Sequence, residues 1–232
     1  MPESPTASAK PSKRELAVVL AGGFMLAAVA GYINTVVIAL GAPAVTHLTG
    51  TISRLSSDLG RSDFVDARSV ASLALAFVIG AALSGVILGS ARLHLGRRYG
   101  VALLFESVLL AAATIAITES LFAGALLAAA AAGLQNAMAS SYRSLILRTT
   151  HVTGTLTDLG FLAGQRLSGH RIESWRFAML GLLLASFVGG GVLGYLAFAR
   201  HGHTAMWIPT SLLAIVGSVY FVLNALHRRA SA

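Results

Sequence analysis

The run HVTGTLTDLG at residues 151–160 repeats, 104 residues further along, a phrase that opens the stretch HLTGTISRLSSDLG at residues 47–60. At that shift His47 falls on His151, Thr49-Gly50-Thr51 on Thr153-Gly154-Thr155, Ser53 on Thr157 and Gly60 on Gly164. Leu48, Ile52 and Leu55 fall on Val152, Leu156 and Leu159, and their spacing of four and three puts them on one helical face. Upstream, Gly31-Tyr32-Ile33-Asn34 pairs with Gly133-Leu134-Gln135-Asn136, although the second copy has two more residues between its Asn and its His.

These polar phrases sit in apolar surroundings. The 232 residues are 56% hydrophobic and 11% charged, with a mean hydropathy of +0.76, a composition that reads as a polytopic membrane protein. A helix needs about 20 apolar residues to cross the hydrocarbon core. Six stretches reach that length, at approximately 16–40, 70–91, 99–118, 121–140, 177–199 and 205–226. Residues 43–60 and 144–164 are too polar for ordinary spans and too apolar for ordinary loops, and they hold the repeated phrase. With no cysteine there is no disulfide framework, thiolate metal site or Cys nucleophile. A net charge of +8 would suggest nucleic acid in a soluble protein. Here the basic residues fall in short loops, so the expected partner is the lipid bilayer and no nucleic acid is expected.

Residues 1–15 read as a disordered cytoplasmic tail, and the apolar run after them is too long for a signal-peptide core. With the N-terminus inside, the inner segments hold Lys10, Lys13, Arg14, Arg92, Arg97, Arg98, Arg143, Arg148, Arg166, Arg171, Arg176, Arg228 and Arg229. Only Arg54, Arg61, Arg68 and Arg200 fall outside. The positive-inside rule therefore favours two cytoplasmic termini and an even number of crossings.

Each half then reads as one span, a short helix and two more spans: 16–118 for the first and 119–227 for the second, before a cytoplasmic tail at 228–232. Three crossings per half is odd, so the second copy enters the membrane from the opposite side. The expected fold is an all-α polytopic membrane protein of six transmembrane helices in two inverted three-helix repeats, each with a short broken or re-entrant helix. Secondary transporters commonly use that plan, with the site near the repeat interface. The expected function is transport of a small polar or anionic solute. The alternative is a non-transporting membrane interaction or assembly protein whose polar phrases merely cap helices.

The expected site lining is Asn34, His47, Thr49, Gly50 and Thr51 from the first half, with Asn136, His151, Thr153, Gly154, Thr155 and Asp158 from the second. Thr155 can cap a helix with Asp158 reaching back, and Gly50 and Gly154 can let the backbone turn. A helix start at membrane depth would turn N–H groups and partial positive charge toward an anion, a polar solute or water. Glu106, Arg54 and Arg148 are candidates for a proton or charge role. An acid inside a span is a functional hypothesis by default, the plainer reading being that Glu106 pairs with Arg97 or Arg98 near the span end. Arg54 and Asp158 are equivalent under the shift, and solvated caps on separate sides are the simpler expectation. Gly85 with Gly89, and Gly190 with Gly194, have the spacing that lets helices approach closely, which is compatible with a homodimer. Trp175, Trp207 and Tyr99 fall near span ends, as interfacial aromatics do. No H-E-x-x-H, G-x-S-x-G or phosphate loop occurs, so no enzyme activity, metal or cofactor is expected.

The phrases Gly133-Leu134-Gln135-Asn136 and Arg148-Thr149-Thr150-His151-Val152-Thr153-Gly154-Thr155-Leu156-Thr157-Asp158-Leu159-Gly160 resemble the signature of the YoaK family, bacterial membrane proteins built on a domain of unknown function. His47-Leu48-Thr49-Gly50-Thr51 is similar to that family's M-T-G-N segment, with Thr51 where Asn is usual, and Asn34 stands where the family commonly has an acid. The resemblance covers nearly the whole chain after the tail and implies a bacterial inner-membrane protein. It supplies no substrate.

Overall fold

The computed structural model describes residues 13–46, 48–89, 97–140 and 149–230. Every regular element among them is helical: α1 (Lys13–Ala39), α2 (Leu48–Gly60), α3 (Phe64–Leu88), α4 (Arg97–Glu119), α5 (Leu121–Ser140), α6 (Val152–Leu167), α7 (Ser174–His201), a 3-10 turn (Gly202–Met206) and α8 (Trp207–Ala230). Five apolar helical segments are long enough to cross a membrane, the last of which, Ser174–Val222, runs 49 residues through α7, the turn and α8. The protein is thus an all-helical, membrane-like chain. Large apolar side chains such as Val86, Val108 and Leu193 face outward, an arrangement suited to lipid as the surrounding solvent.

The short helices fall where the repeated phrases predict them. One boundary differs: α3 starts at Phe64, well before the expected residue 70. The Asp63 carboxylate accepts a 3.2 Å bond from the Asp66 N–H, and this N-cap carries the helix start into polar sequence.

Close approaches at glycine set the packing. A Cβ on Gly31 of α1 would fall on the Phe187 carbonyl of α7, and a Cβ on Gly191, four residues after Phe187, would meet Thr35, four after Gly31. Likewise Gly190 lies on Ala28 and Gly194 on Tyr32, so α1 and α7 run in the same direction. The α3–α5 pair copies this contact: Gly133 lies on the Phe77 carbonyl as Gly31 does on Phe187, and Gly80 lies on Ala130 as Gly190 does on Ala28. Between α4 and α8 the order reverses. Gly100 meets the Gly217 carbonyl, while seven residues on the Ser107 hydroxyl donates to the Thr210 carbonyl at 2.9 Å, so these helices are antiparallel.

Of the two small-residue pairs, Gly190 and Gly194 do seat α1, but a Cβ on Gly85 would meet nothing within 4 Å, and Gly89 ends α3. Gly80 takes the packing role one turn earlier. Gly89 (φ 55, ψ −139) and Gly202 (φ 58, ψ −140) terminate α3 and α7 with the same left-handed cap, which a Cβ would strain. The two halves interlock: no Cα of α1 comes within 8 Å of α3 or α4, none of α7 within 8 Å of α5 or α8, and the extensive helix packing runs from each half to the other.

Candidate functional site

Each of the two Asn residues of the G-x-x-N phrases holds the chain that leads into its short helix. Asn34, buried near the end of α1, accepts bonds through Oδ1 from the backbone N–H groups of Val45 (3.2 Å) and Thr46 (3.3 Å). Asn136, near the end of α5, accepts a 2.8 Å bond from the Thr150 hydroxyl. Thr46 and Thr150 immediately precede the His of their phrases, so the two joints correspond in sequence, although Thr46 donates its backbone N–H and Thr150 its hydroxyl. Each joint also keeps a buried hydroxyl, Thr46 Oγ1 or Thr149 Oγ1, with no hydrogen-bond partner among the described residues. Such a group costs about 1–3 kcal/mol when unsatisfied and offers a ready contact to water or a solute.

The helices beyond the joints differ from expectation in one respect. α6 begins at Val152, with His151 as its N-cap residue and no side-chain cap bond. Thr155 therefore lies inside the first turn, where its hydroxyl bonds back to the His151 carbonyl at 3.1 Å, and no capping box forms with the exposed Asp158. Gly50 and Gly154 are helical positions, not turns. The His151 ring occupies the space a Cβ on Gly154 would need, so that glycine is explained by side-chain room. Thr51 and Thr155 are the buried members of their phrases, whereas Thr49, Gly50, His151 and Thr153 are exposed and Gly154 half-buried. His47 and Arg148 lie outside the described residues.

The phrases are not brought together. α2 packs along α3 and α6 against α7, with no contact between α2 and α6. Because α1 and α7 run the same way, α2, which follows α1, and α6, which precedes α7, lie at opposite ends of the bundle. Arg54 pairs with Asp58 (3.7 Å) and Asp66 (3.3 Å) on its own side rather than with Asp158. These are exposed or half-exposed pairs, worth about 0–1 kcal/mol.

A further candidate, Glu106, lies on α4. It is fully buried in α4, nine residues from Arg97, and neither carboxylate oxygen has a hydrogen-bond partner among the described residues. The arginine pairing does not form: Arg97 stacks over the Phe221 ring at 5.5 Å, and Arg98 donates to the Leu88 carbonyl at 2.9 Å. Around this level the core carries small polar groups that the sequence reading passed over. Gln135 Nε2 reaches the Leu26 carbonyl at 2.6 Å and the Thr210 hydroxyl the Met206 carbonyl at 2.7 Å. The Ser84 hydroxyl on α3 is fully buried and has no hydrogen-bond partner among the described residues. The one available signal was their position on otherwise apolar helical faces.

Two sizeable pockets lie beside this core. One of about 250 Å³ is bounded by α1, α4, α5 and α8. The other, of about 490 Å³, lies between α1, α7 and α8 and includes Tyr32, Arg200 and His201. Both linings are mainly apolar, and none of the expected site residues lines either one. Tyr99, expected as an interfacial anchor, is buried and lines the smaller pocket. Trp175 does sit exposed at the start of α7, where its Nε1 donates to Glu173 at 2.9 Å.

A family model described as "Protein of unknown function (DUF1275)", the family that includes YoaK, matches residues 22–219. No curated protein and no solved structure gives a significant match.

Proposed function

We propose that this chain, which belongs to the DUF1275 family, is a membrane transporter of a small solute, built from two inverted halves that cross the membrane six times with both termini in the cytoplasm of a bacterial inner membrane. The observation that carries this reading is the pair of corresponding polar joints, Asn34 with Thr46 and Asn136 with Thr150, at opposite ends of one bundle, together with a buried acid on α4 that has no hydrogen-bond partner among the described residues. Inverted repeats with interrupted helices suit alternating access, because each end can open by the same local movement. The doubled Gly–Phe contacts and the matching caps at Gly89 and Gly202 support the repeat. A straight helix of 49 residues would span about 74 Å, more than twice a hydrocarbon core of about 30 Å, which supports counting α7 and α8 as two crossings.

Thr51, Thr155 and the two Asn residues are the part of the expected lining that this reading retains, as joint residues that release and re-form their bonds during access. Thr49, Gly50, Thr153 and Asp158 become surface positions of the joint helices. The apolar pocket walls shift the solute away from a free inorganic anion and toward a small molecule with an apolar body. The alternative, a membrane assembly protein, draws on a separate observation: α2 and α6 expose Ile52, Leu59, Leu156 and Phe161, which a partner could cover.

Thermal unfolding of the purified protein against a panel of metabolites, followed by flux in proteoliposomes, separates the two. A ligand that raises the unfolding temperature of the wild type and crosses the membrane with it, but not with Thr155→Val or Asn136→Leu inserted to the same level, supports transport. No stabilising ligand and no flux, with a membrane protein co-purifying through α2 or α6, would establish the assembly role instead.

A further inference from the structure

Glu106 belongs to a stripe of buried positions on α4 that begins with Tyr99 and Leu103 and continues through Leu110. Tyr99 and Leu103 form one wall of the 250 Å³ pocket, so the carboxylate lies one helical turn beyond the pocket's α4 wall. The opposing walls carry Met25, Met138 and Tyr220, and small residues at Gly22 and Gly23 leave the space open. Val18, which also lines the pocket, is 48% exposed, so the pocket reaches the surface of α1.

Three properties of this place select a ligand. Apolar walls favour an apolar body. Tyr99 and Tyr220 bring two aromatic rings to the lining, and aromatic rings attract cations. One turn beyond Leu103 the Glu106 carboxylate has no hydrogen-bond partner among the described residues, while the two arginines at the start of its helix are engaged elsewhere, Arg97 over Phe221 and Arg98 on Leu88. An ionised carboxylate left alone at that depth is costly, so it is stable with a proton or with a counter-cation, and one displaces the other.

We propose that the pocket between α1, α4, α5 and α8 binds small lipophilic organic cations in exchange for a proton on Glu106, with Leu103 as the side chain that must move to let the two meet. The exchange balances: the carboxylic acid and an incoming quaternary ammonium give a carboxylate–ammonium pair and one proton released to solvent. This deepens the transport reading by naming the solute class, and it extends to binding that can be measured without flux.

The test uses the full-length protein in detergent, with benzyltrimethylammonium as the probe and neopentylbenzene, its uncharged counterpart of the same shape, as the control. Thermal unfolding and calorimetric titration in buffers of different ionisation heat give affinity and proton release together. The expected result is saturable stabilisation by the cation alone, release of about one proton per cation bound, and weakening of about thirtyfold or more in Glu106→Gln, as befits loss of one partner of a buried charge pair. Stabilisation by the neutral control equal to that by the cation, binding without proton release, or unchanged affinity in Glu106→Gln would each overturn the proposal. Should Glu106→Gln fail to fold, Leu103→Trp, which fills the pocket and leaves the acid in place, must abolish cation binding, and the wild-type proton count decides independently. Cation binding without flux of any solute would leave this site standing and remove the transport reading, whereas flux of another solute with no cation binding would remove this proposal alone.

Discussion

Asn34 shows how much one side chain fixes. Its Oδ1 takes the backbone N–H groups of two consecutive residues, Val45 and Thr46, in a buried place. Asn34→Leu should therefore destabilise the protein by about 1–3 kcal/mol, read as a drop in denaturant or thermal midpoint, because two donors lose their acceptor at once. Asn34→Asp should be tolerated, since a carboxylate accepts the same two bonds. That equivalence gives a structural reason for the acid that the YoaK resemblance places here, and it weakens the idea that an acid at this position must handle protons. From sequence the residue was legible as special and its partners were not, because a contact eleven residues away depends on how the loop after α1 folds back. Glu106 was legible too, as an acid inside an apolar span. Its lack of any partner was not, since the arginines that could have met it are drawn to Phe221 and Leu88.

At the scale of the helices, glycine decides which faces meet. Gly31→Ala and Gly133→Ala place a methyl on the carbonyl oxygens of Phe187 and Phe77, so α1 must back away from α7 and α3 from α5. Each substitution should cost about 1–3 kcal/mol, as overpacking does. Gly160→Ala and Gly164→Ala, on exposed positions of α6 with nothing within 4 Å, should be neutral or stabilising by up to about 1 kcal/mol through helix propensity. Parallel unfolding curves of the four variants check the contrast. A further expectation concerns the start of α3: Asp63→Ala removes its N-cap and should cost about 1 kcal/mol. Apolar length located the long helices, with α3 the one that starts well before its expected boundary, because apolar runs of that length imply membrane-like helices. The capping box at Thr155 misled for a local reason: the helix takes in the whole T-G-T phrase and starts at Val152, so the threonine that looked like a cap bonds back along its own turn.

For the whole molecule, the inverted arrangement predicts that α2 and α6 face different aqueous compartments. The chain has no cysteine, so single substitutions give an unambiguous readout. A membrane-impermeant thiol reagent added to intact cells, with the outer membrane permeabilised, should label Ser57→Cys at once and Ser168→Cys only after the inner membrane is opened; labelling of both from one side would exclude the inverted topology. The phrase and the count of charges are what lead to the expectation of an inverted repeat. They could not give the exchange of partners between halves, since no short motif encodes which helix a Gly31 will meet 156 positions later at Phe187. That exchange has a consequence for biosynthesis. While the chain emerges from the ribosome, α1 is complete at Ala39 but its main partner, α7, begins only at Ser174, and α3 must wait for α5. Three newly inserted helices therefore stand side by side in the lipid with little to hold them to one another, and Glu106 enters the membrane before α5 and α8 exist to enclose it. A chain truncated after α4 leaves α1 and α3 without their main partners, so its product is expected to turn over faster than the full-length protein, which a pulse-chase of the two checks.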